Sequence, residues 1–167
     1  MSNSNITIDT NVFEHLFNPQ NNENEHIDAL LRHLVERRVM LCTDKAGRMF
    51  GEYRQQLHPF FKRSDEGQKV IWLRYFLLLA ERREVAVNFG DALMVAIRGK
   101  IPFAEASDRI FVYVAIFSDC ILISNDLNHI TGHRNNLRRC ARRHGSGTTD
   151  FVDSLTAYSS MAEQTGN

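Results

Sequence analysis

Residues 6–11 read Ile-Thr-Ile-Asp-Thr-Asn. A β-branched run of this kind suits a pleated strand. The acid that closes it then stands at the strand's C-terminal end. In open parallel α/β sheets that edge carries ligands and catalysis. A second such run lies far downstream, Cys120-Ile121-Leu122-Ile123-Ser124-Asn125-Asp126. If both strands join one parallel sheet, Asp9 and Asp126 meet at one edge.

The stretch between them reads as alternating strands and helices. Residues 12–17 have helical apolar spacing, stopped by Asn18-Pro19 and a polar loop at 20–22. A helix over 25–38 buries Ile27, Leu30, Leu31, Leu34 and Val35 on one face. Residues 39–42 form a second strand with Asp44 just beyond it. Strand, helix, strand predicts a right-handed crossover and parallel strands, hence an α/β fold. A helix over 48–58, ended by Pro59, uses Met49, Phe50, Tyr53 and Leu57 as its apolar face. A long helix over 66–83 follows, with Val70, Leu73, Phe76, Leu77 and Ala80 as its core stripe. Trp72 and Tyr75, off that stripe, are open to a partner. A weak strand over 84–89 and helices over 91–98 and 107–117 come next, the last with Asp108 in its first turn. A basic helix over 134–143, an edge strand at Phe151-Val152 and a frayed tail from 159 complete the chain.

At 167 residues the chain suits one domain, expected over 5–155 with a tail over 156–167. Lys+Arg and Asp+Glu are 20 each, so nucleic-acid binding requires local clustering of charge. Three cysteines without metal-type spacing read as reduced thiols of a cytoplasmic protein. The polar start, Met-Ser-Asn-Ser-Asn, is no signal peptide. The apolar stretch 70–80 carries Arg74 and is too short to cross a bilayer, so no membrane association is expected.

Four acids share a logic. Asp9 and Asp126 follow strands, Asp108 opens the helix leading into the second of them, and Glu52 lies on a helix after the βαβ strand. Clustered carboxylates repel one another unless a cation sits among them. Hard oxygen ligands suit Mg²⁺ or Mn²⁺ rather than zinc. Metal ions so held support in-line attack on phosphodiesters without a serine or histidine nucleophile. Neither a G-x-S-x-G elbow nor a Walker A loop is present.

Ile-Asp-Thr-Asn-Val at 8–12, Glu52, Asp-x-x-x-x-x-x-Ala at 108–115 and Ile-Ser-x-Asp at 123–126 together resemble the PIN-domain family. The resemblance implies a three-layer α/β/α sandwich around a parallel β-sheet. It also implies a Mg²⁺- or Mn²⁺-dependent endoribonuclease, often the toxin of a toxin–antitoxin pair, with RNA as substrate, an antitoxin partner and a homodimer. It assigns Asp9, Glu52, Asp108 and Asp126 as catalytic metal ligands, and Thr10, Asn11 and Ser124 as supporting or phosphate contacts. There are two departures. The segment 62–101 is longer than in compact toxin members, and Asn128 stands where some members carry a further acid.

Each residue also has a plainer explanation. Asp9 suits a turn, Asp108 a helix N-terminus and Glu52 a solvated helix face. Asp44 is the rival ligand at the same edge, whereas Asp119 precedes its strand and faces the other way. Arg134, Arg138, Arg139, Arg142 and Arg143 crowd one helix; 134, 138 and 142 form a stripe that suits a phosphate backbone or simply solvent. His129 and His133 have zinc-pair spacing, but Gly132 lies between them and no cysteine pair is near. Two rival functions remain. One is a catalytically inactive PIN-like RNA- or protein-binding module. The other is a HAD-type phosphatase, for which the second Asp after Asp9 and a partner lysine are lacking.

Overall fold

The computed structural model describes residues 5–18, 24–145 and 147–163. The polar loop expected at 20–22 lies outside them. Five strands, β1 (Asn5–Ile8), β2 (Met40–Asp44), β3 (Arg82–Val85), β4 (Ile121–Ile123) and β5 (Phe151–Val152), form one sheet in the order β3-β2-β1-β4-β5. Every neighbouring pair is parallel. Ile6 lies opposite Leu41 on one side and Ile121 on the other, and Ile8 lies opposite Ile123. Ile6, Ile8, Leu41, Leu122 and Ile123 are all buried, as central strands covered on both faces must be. Chain order reverses between β1 and β4, with β2 and β3 laid down on one side and β5 on the other. In open α/β sheets the crevice for ligands opens at such a reversal.

The helices are α1 (Thr10–Phe17), α2 (Asn24–Glu36), α3 (Arg48–Lys62), α4 (Lys69–Ala80), α5 (Ala92–Lys100), α6 (Ala106–Ser118), α7 (Arg134–His144) and α8 (Ser154–Glu163). α1, α2, α4 and α8 pack through α2, while α5, α6 and α7 pack on one another and α6 crosses four of the strands. Two helical sets about one parallel sheet are compatible with a three-layer α/β/α arrangement. The apolar run before β4 is helical because α6 is nearly enclosed: Ile110 through Ile116 are all buried. A helix apolar on every side belongs inside a protein. Among the described residues no helix is long and apolar enough to cross a membrane.

Four expectations need correction. Pro59 does not end α3, which runs on to Lys62. The helical bond that Pro59 forfeits is that of the Gln55 carbonyl, and both residues are exposed, so water can replace it. The helix expected over 66–83 stops at Ala80; Glu66–Gln68 is a 3₁₀ turn and Arg82–Val85 is already β3. The tail is not frayed from 159, since α8 extends to Glu163 and buries Ala157 and Met161; residues 164–167 lie outside the described set.

The fourth correction inverts α4. Val70, Leu73, Phe76 and Leu77, expected in the core, are 53%, 58%, 49% and 46% exposed, whereas Trp72 and Tyr75 are 5% and 4% exposed. Trp72 stacks on Phe17 with centroids 3.6 Å apart, and its indole N–H donates to Ser64 Oγ at 2.6 Å. Tyr75 meets Phe13 edge-on at 5.0 Å. Only Lys69 and Arg74 are charged in this helix, so its pattern does not mark which side faces water. The larger aromatic surfaces settle the orientation by burying more area.

Candidate metal centre

Asp9 follows the last residue of β1 and is the N-cap of α1, yet its side chain caps nothing. An Asp at that position ordinarily accepts a bond from the first turn. Here its backbone N–H extends the ladder to Ile123 O at 2.9 Å, and the carboxylate turns toward β4. Asp9 Oδ2 accepts Ser124 Oγ–H at 2.6 Å and Asn11 Nδ2–H at 2.8 Å. Asn11 Oδ1 in turn accepts the Asn125 N–H at 3.0 Å. The Asp-Thr-Asn and Ser-Asn-Asp segments thus clasp each other across the reversal. Asp9 is 3% exposed. Burial, opposed by the Ser124 bond and reinforced by the charges of Asp108, Glu52 and Asp126, pushes its carboxyl up to about 7.

The remaining acids arrive from three elements. Tyr53, fully buried on α3, donates its hydroxyl to Ile8 O; this ties α3 to the end of β1 and sets neighbouring Glu52 beside Asp9. Burial raises the Glu52 carboxyl, while the nearby Thr10 and Ser107 hydroxyls restrain it. Burial likewise raises Asp108, which is held down in part by the Glu105 backbone N–H and raised further by the charge of Asp126. That N–H donates to Asp108 Oδ2 at 2.9 Å in the capping arrangement that starts α6. Asp126 Oδ1 accepts the Asn128 and His129 N–H groups at 2.9 and 3.1 Å, and its Oδ2 accepts from His129 Nδ1 at 3.0 Å.

His129 is the residue that the sequence misassigned. It joins no pair with His133. Its Nδ1 also lies 4.0 Å from Asp108 Oδ2, and Asp108, Asp126 and His129 place ligand atoms within 4.8 Å of one another, a spacing that can hold a metal ion. Its position three residues after Asp126, in the turn that the acid organises, is the only local signal. Glu105, three before Asp108, has capping-box spacing and was also overlooked.

The residues present fit a divalent cation on two counts. Carboxylate oxygens with one imidazole suit Mg²⁺ or, with the nitrogen included, Mn²⁺. Thr10 Oγ1 is buried beside Glu52 and has no partner in hydrogen-bonding geometry, a cost that a bound ligand or its water would remove.

Asp44, the rival, is spent on structure: its carboxylate oxygens accept the Arg48 and Met49 N–H groups at 3.0 and 2.8 Å, capping α3. Asp119 faces the opposite edge, where it accepts the Thr148 N–H at 3.1 Å. The arginine stripe leads away from the acids. α7 crosses from the C-terminal end of β4 toward the start of β5. Arg138 pairs with Asp150 at 2.6 Å, Arg139 donates to Asn136 at 2.7 Å, and Arg134 alone starts the helix on the acidic edge. Arg139, Arg142 and Arg143 line a separate basic pocket of about 490 Å³ with Lys100 and His144. Comparison of the chain with protein-family models, curated proteins and solved structures found no match.

Proposed function

We propose that this protein is a divalent-metal-dependent endoribonuclease with a PIN-like fold, cutting RNA phosphodiester bonds at the C-terminal edge of its sheet. One observation carries the proposal: a buried N-cap carboxylate, Asp9, that does not cap its helix and instead feels three other acids at the chain-order reversal. Asp9, Glu52, Asp108 and Asp126 would hold Mg²⁺ or Mn²⁺, with His129 as a nitrogen donor beside them. Such an ion, when bound, supplies an activated water and offsets charge developing on the phosphoryl group. Ser124 and Asn11 fix the direction of the Asp9 carboxylate, and the hydrophobic walls of β1 and β4 keep bulk water from it. The Thr10 hydroxyl is a spare donor for a substrate oxygen. The resemblance to PIN domains supports RNA as the substrate. It also extends the proposal to a cytoplasmic, dimeric protein acting as a toxin, with an antitoxin partner.

A second proposal, an inactive RNA- or protein-binding module, is favoured by the structural duties of two acids. Asp108 caps α6, and three of the roughly four lone-pair positions of the Asp126 carboxylate are taken within its own turn. Incubating purified protein with mixed RNA in Mg²⁺, Mn²⁺ or EDTA, beside Asp9→Asn and Asp126→Asn, separates the two. Metal-dependent cutting by wild type alone supports the nuclease; binding without cutting in any metal favours the module. Equal cutting by all three proteins removes the proposed site.

A further inference from the structure

Resting on the nuclease proposal, we infer that the groove along the exposed face of α3 is the path of a single nucleic-acid strand and that Gly51 is its floor. Gly51 lies in the interior of a 15-residue helix. Glycine there loses more conformational entropy than any other residue on folding and is the weakest helix former after proline. Two structural reasons for keeping it are missing. It has no positive φ, unlike Gly47 and Gly147, and a Cβ at this position would meet nothing within 4 Å. Alanine would fit and would strengthen α3. The reason left is close approach of a ligand to the helix backbone.

The surroundings specify that ligand. Gly51 lines a groove of about 1040 Å³ with Arg48, Glu52, Arg54, Gln55 and Ser107 among its walls. Positions 48, 51, 52 and 55 fall on one face of α3. Glu52 belongs to the acid cluster, so this groove leads into the proposed cutting site. Beyond Glu52 it becomes cationic. The Arg48 guanidinium is held over the Phe89 ring, 4.3 Å from its centroid, and Arg54 and His58 follow along the helix. Cations that track phosphates beside carboxylates that hold metal are the layout a phosphodiester chain requires. Gln55 and Gln56 add amides that can meet base edges. The walls belong to α3 and the start of α6, which pack on each other. Packed helices lie about 8–10 Å apart, which admits one strand and excludes a duplex. A merely solvated helix face would explain the polar residues but not the glycine.

The test uses the full chain as wild type, Gly51→Ala, Gly51→Gln and Arg54→Ala. Binding is read by anisotropy of a fluorescein-labelled, mixed-sequence single-stranded RNA 12-mer in EDTA across a KCl series. The same sequence as a hairpin duplex and a labelled poly-glutamate peptide are run beside it. Thermal melts and Mn²⁺-dependent cleavage are measured on each protein. Gly51→Ala is expected to raise Tm by about 1–4 °C while weakening binding. Gly51→Gln, with its side chain in the groove, weakens binding about tenfold or more. Arg54→Ala lowers the slope of log K against log[KCl] by about 1, and the hairpin binds more weakly than the single strand. A lower Tm for Gly51→Ala overturns the inference, because the glycine would then serve packing. So does RNA binding by Gly51→Gln equal to wild type, or groove-dependent binding of the peptide in place of RNA. If wild type cuts and binds RNA while the groove variants match it, this inference fails alone. If wild type neither cuts nor binds, the nuclease proposal fails with it.

Discussion

Ser124 Oγ donates to Asp9 Oδ2 across 2.6 Å and so joins the ends of β1 and β4, the strands between which chain order reverses. The same oxygen accepts the Asp126 N–H at 3.1 Å and Asn11 Nδ2–H at 3.4 Å. Ser124→Ala leaves all three groups short of a partner in a buried place. We expect a loss of about 2 kcal/mol, read as a Tm lower by roughly 4–8 °C. We also expect cleavage to fall about 10- to 100-fold as Asp9 loses its orientation. Unchanged cleavage would show that this bond does not position the carboxylate.

Asp9 carries a pH dependence whose sign is set. Its carboxyl rises from 3.8 to about 7 through burial first, then neighbouring charge. Between those values the folded chain holds a proton that the unfolded chain has lost. The resulting stabilisation is complete below about pH 4 and disappears as pH rises through about 7. In EDTA the protein is therefore expected to be more stable at pH 5.5 than at pH 8 by about 2 kcal/mol on this account, and Asp9→Asn removes the difference. Mn²⁺ or Mg²⁺ should raise Tm far more at pH 8, where the ligands are ionised, than at pH 5.5. A Tm indifferent to both ions at pH 8 would argue against a metal centre.

Asp44 and Asp9 stand at the ends of adjacent strands but have different tasks. Asp44→Ala exposes two uncapped N–H groups of α3 and should cost about 1–2 kcal/mol. Asp44→Asn should recover much of that. Neither change is expected to move the Mn²⁺ affinity measured by calorimetry. A tenfold weaker affinity for a well-folded Asp44→Asn would return Asp44 to the ligand set.

The orientation of α4 separates two neighbouring residues. Trp72→Ala removes the indole stacked on Phe17 and should cost about 3–5 kcal/mol. Leu73→Ala, on the exposed side, should stay within about 0.5 kcal/mol in chemical denaturation. The reverse order would restore the orientation expected from the sequence.

Much of the fold is written locally. Ile6-Thr7-Ile8 and Ile121-Leu122-Ile123 declare strands, and Ile27, Leu30, Leu31 and Leu34 declare the buried face of α2, because charged residues mark its other side. The acids at 9, 52, 108 and 126 were also readable, since each stands at a recognisable point of its element. α4 was not, because a helix apolar nearly all round gives no direction, and only contact with Phe13 and Phe17 chose its buried side. Pro59 failed as a stop because the carbonyl it strands faces water. The arginine stripe lost its place beside the acids because α7 runs toward the other edge and Asp150 meets Arg138 there. His129 and Gly51 gained meaning only from neighbours far away in the chain. The sequence by itself determined which elements form and which acids end them, because propensity and periodicity act over a few residues. Only the tertiary structure decided which carboxylates cap helices, which remain turned toward one another, and which open groove reaches them, because those outcomes depend on groups brought together by the sheet order.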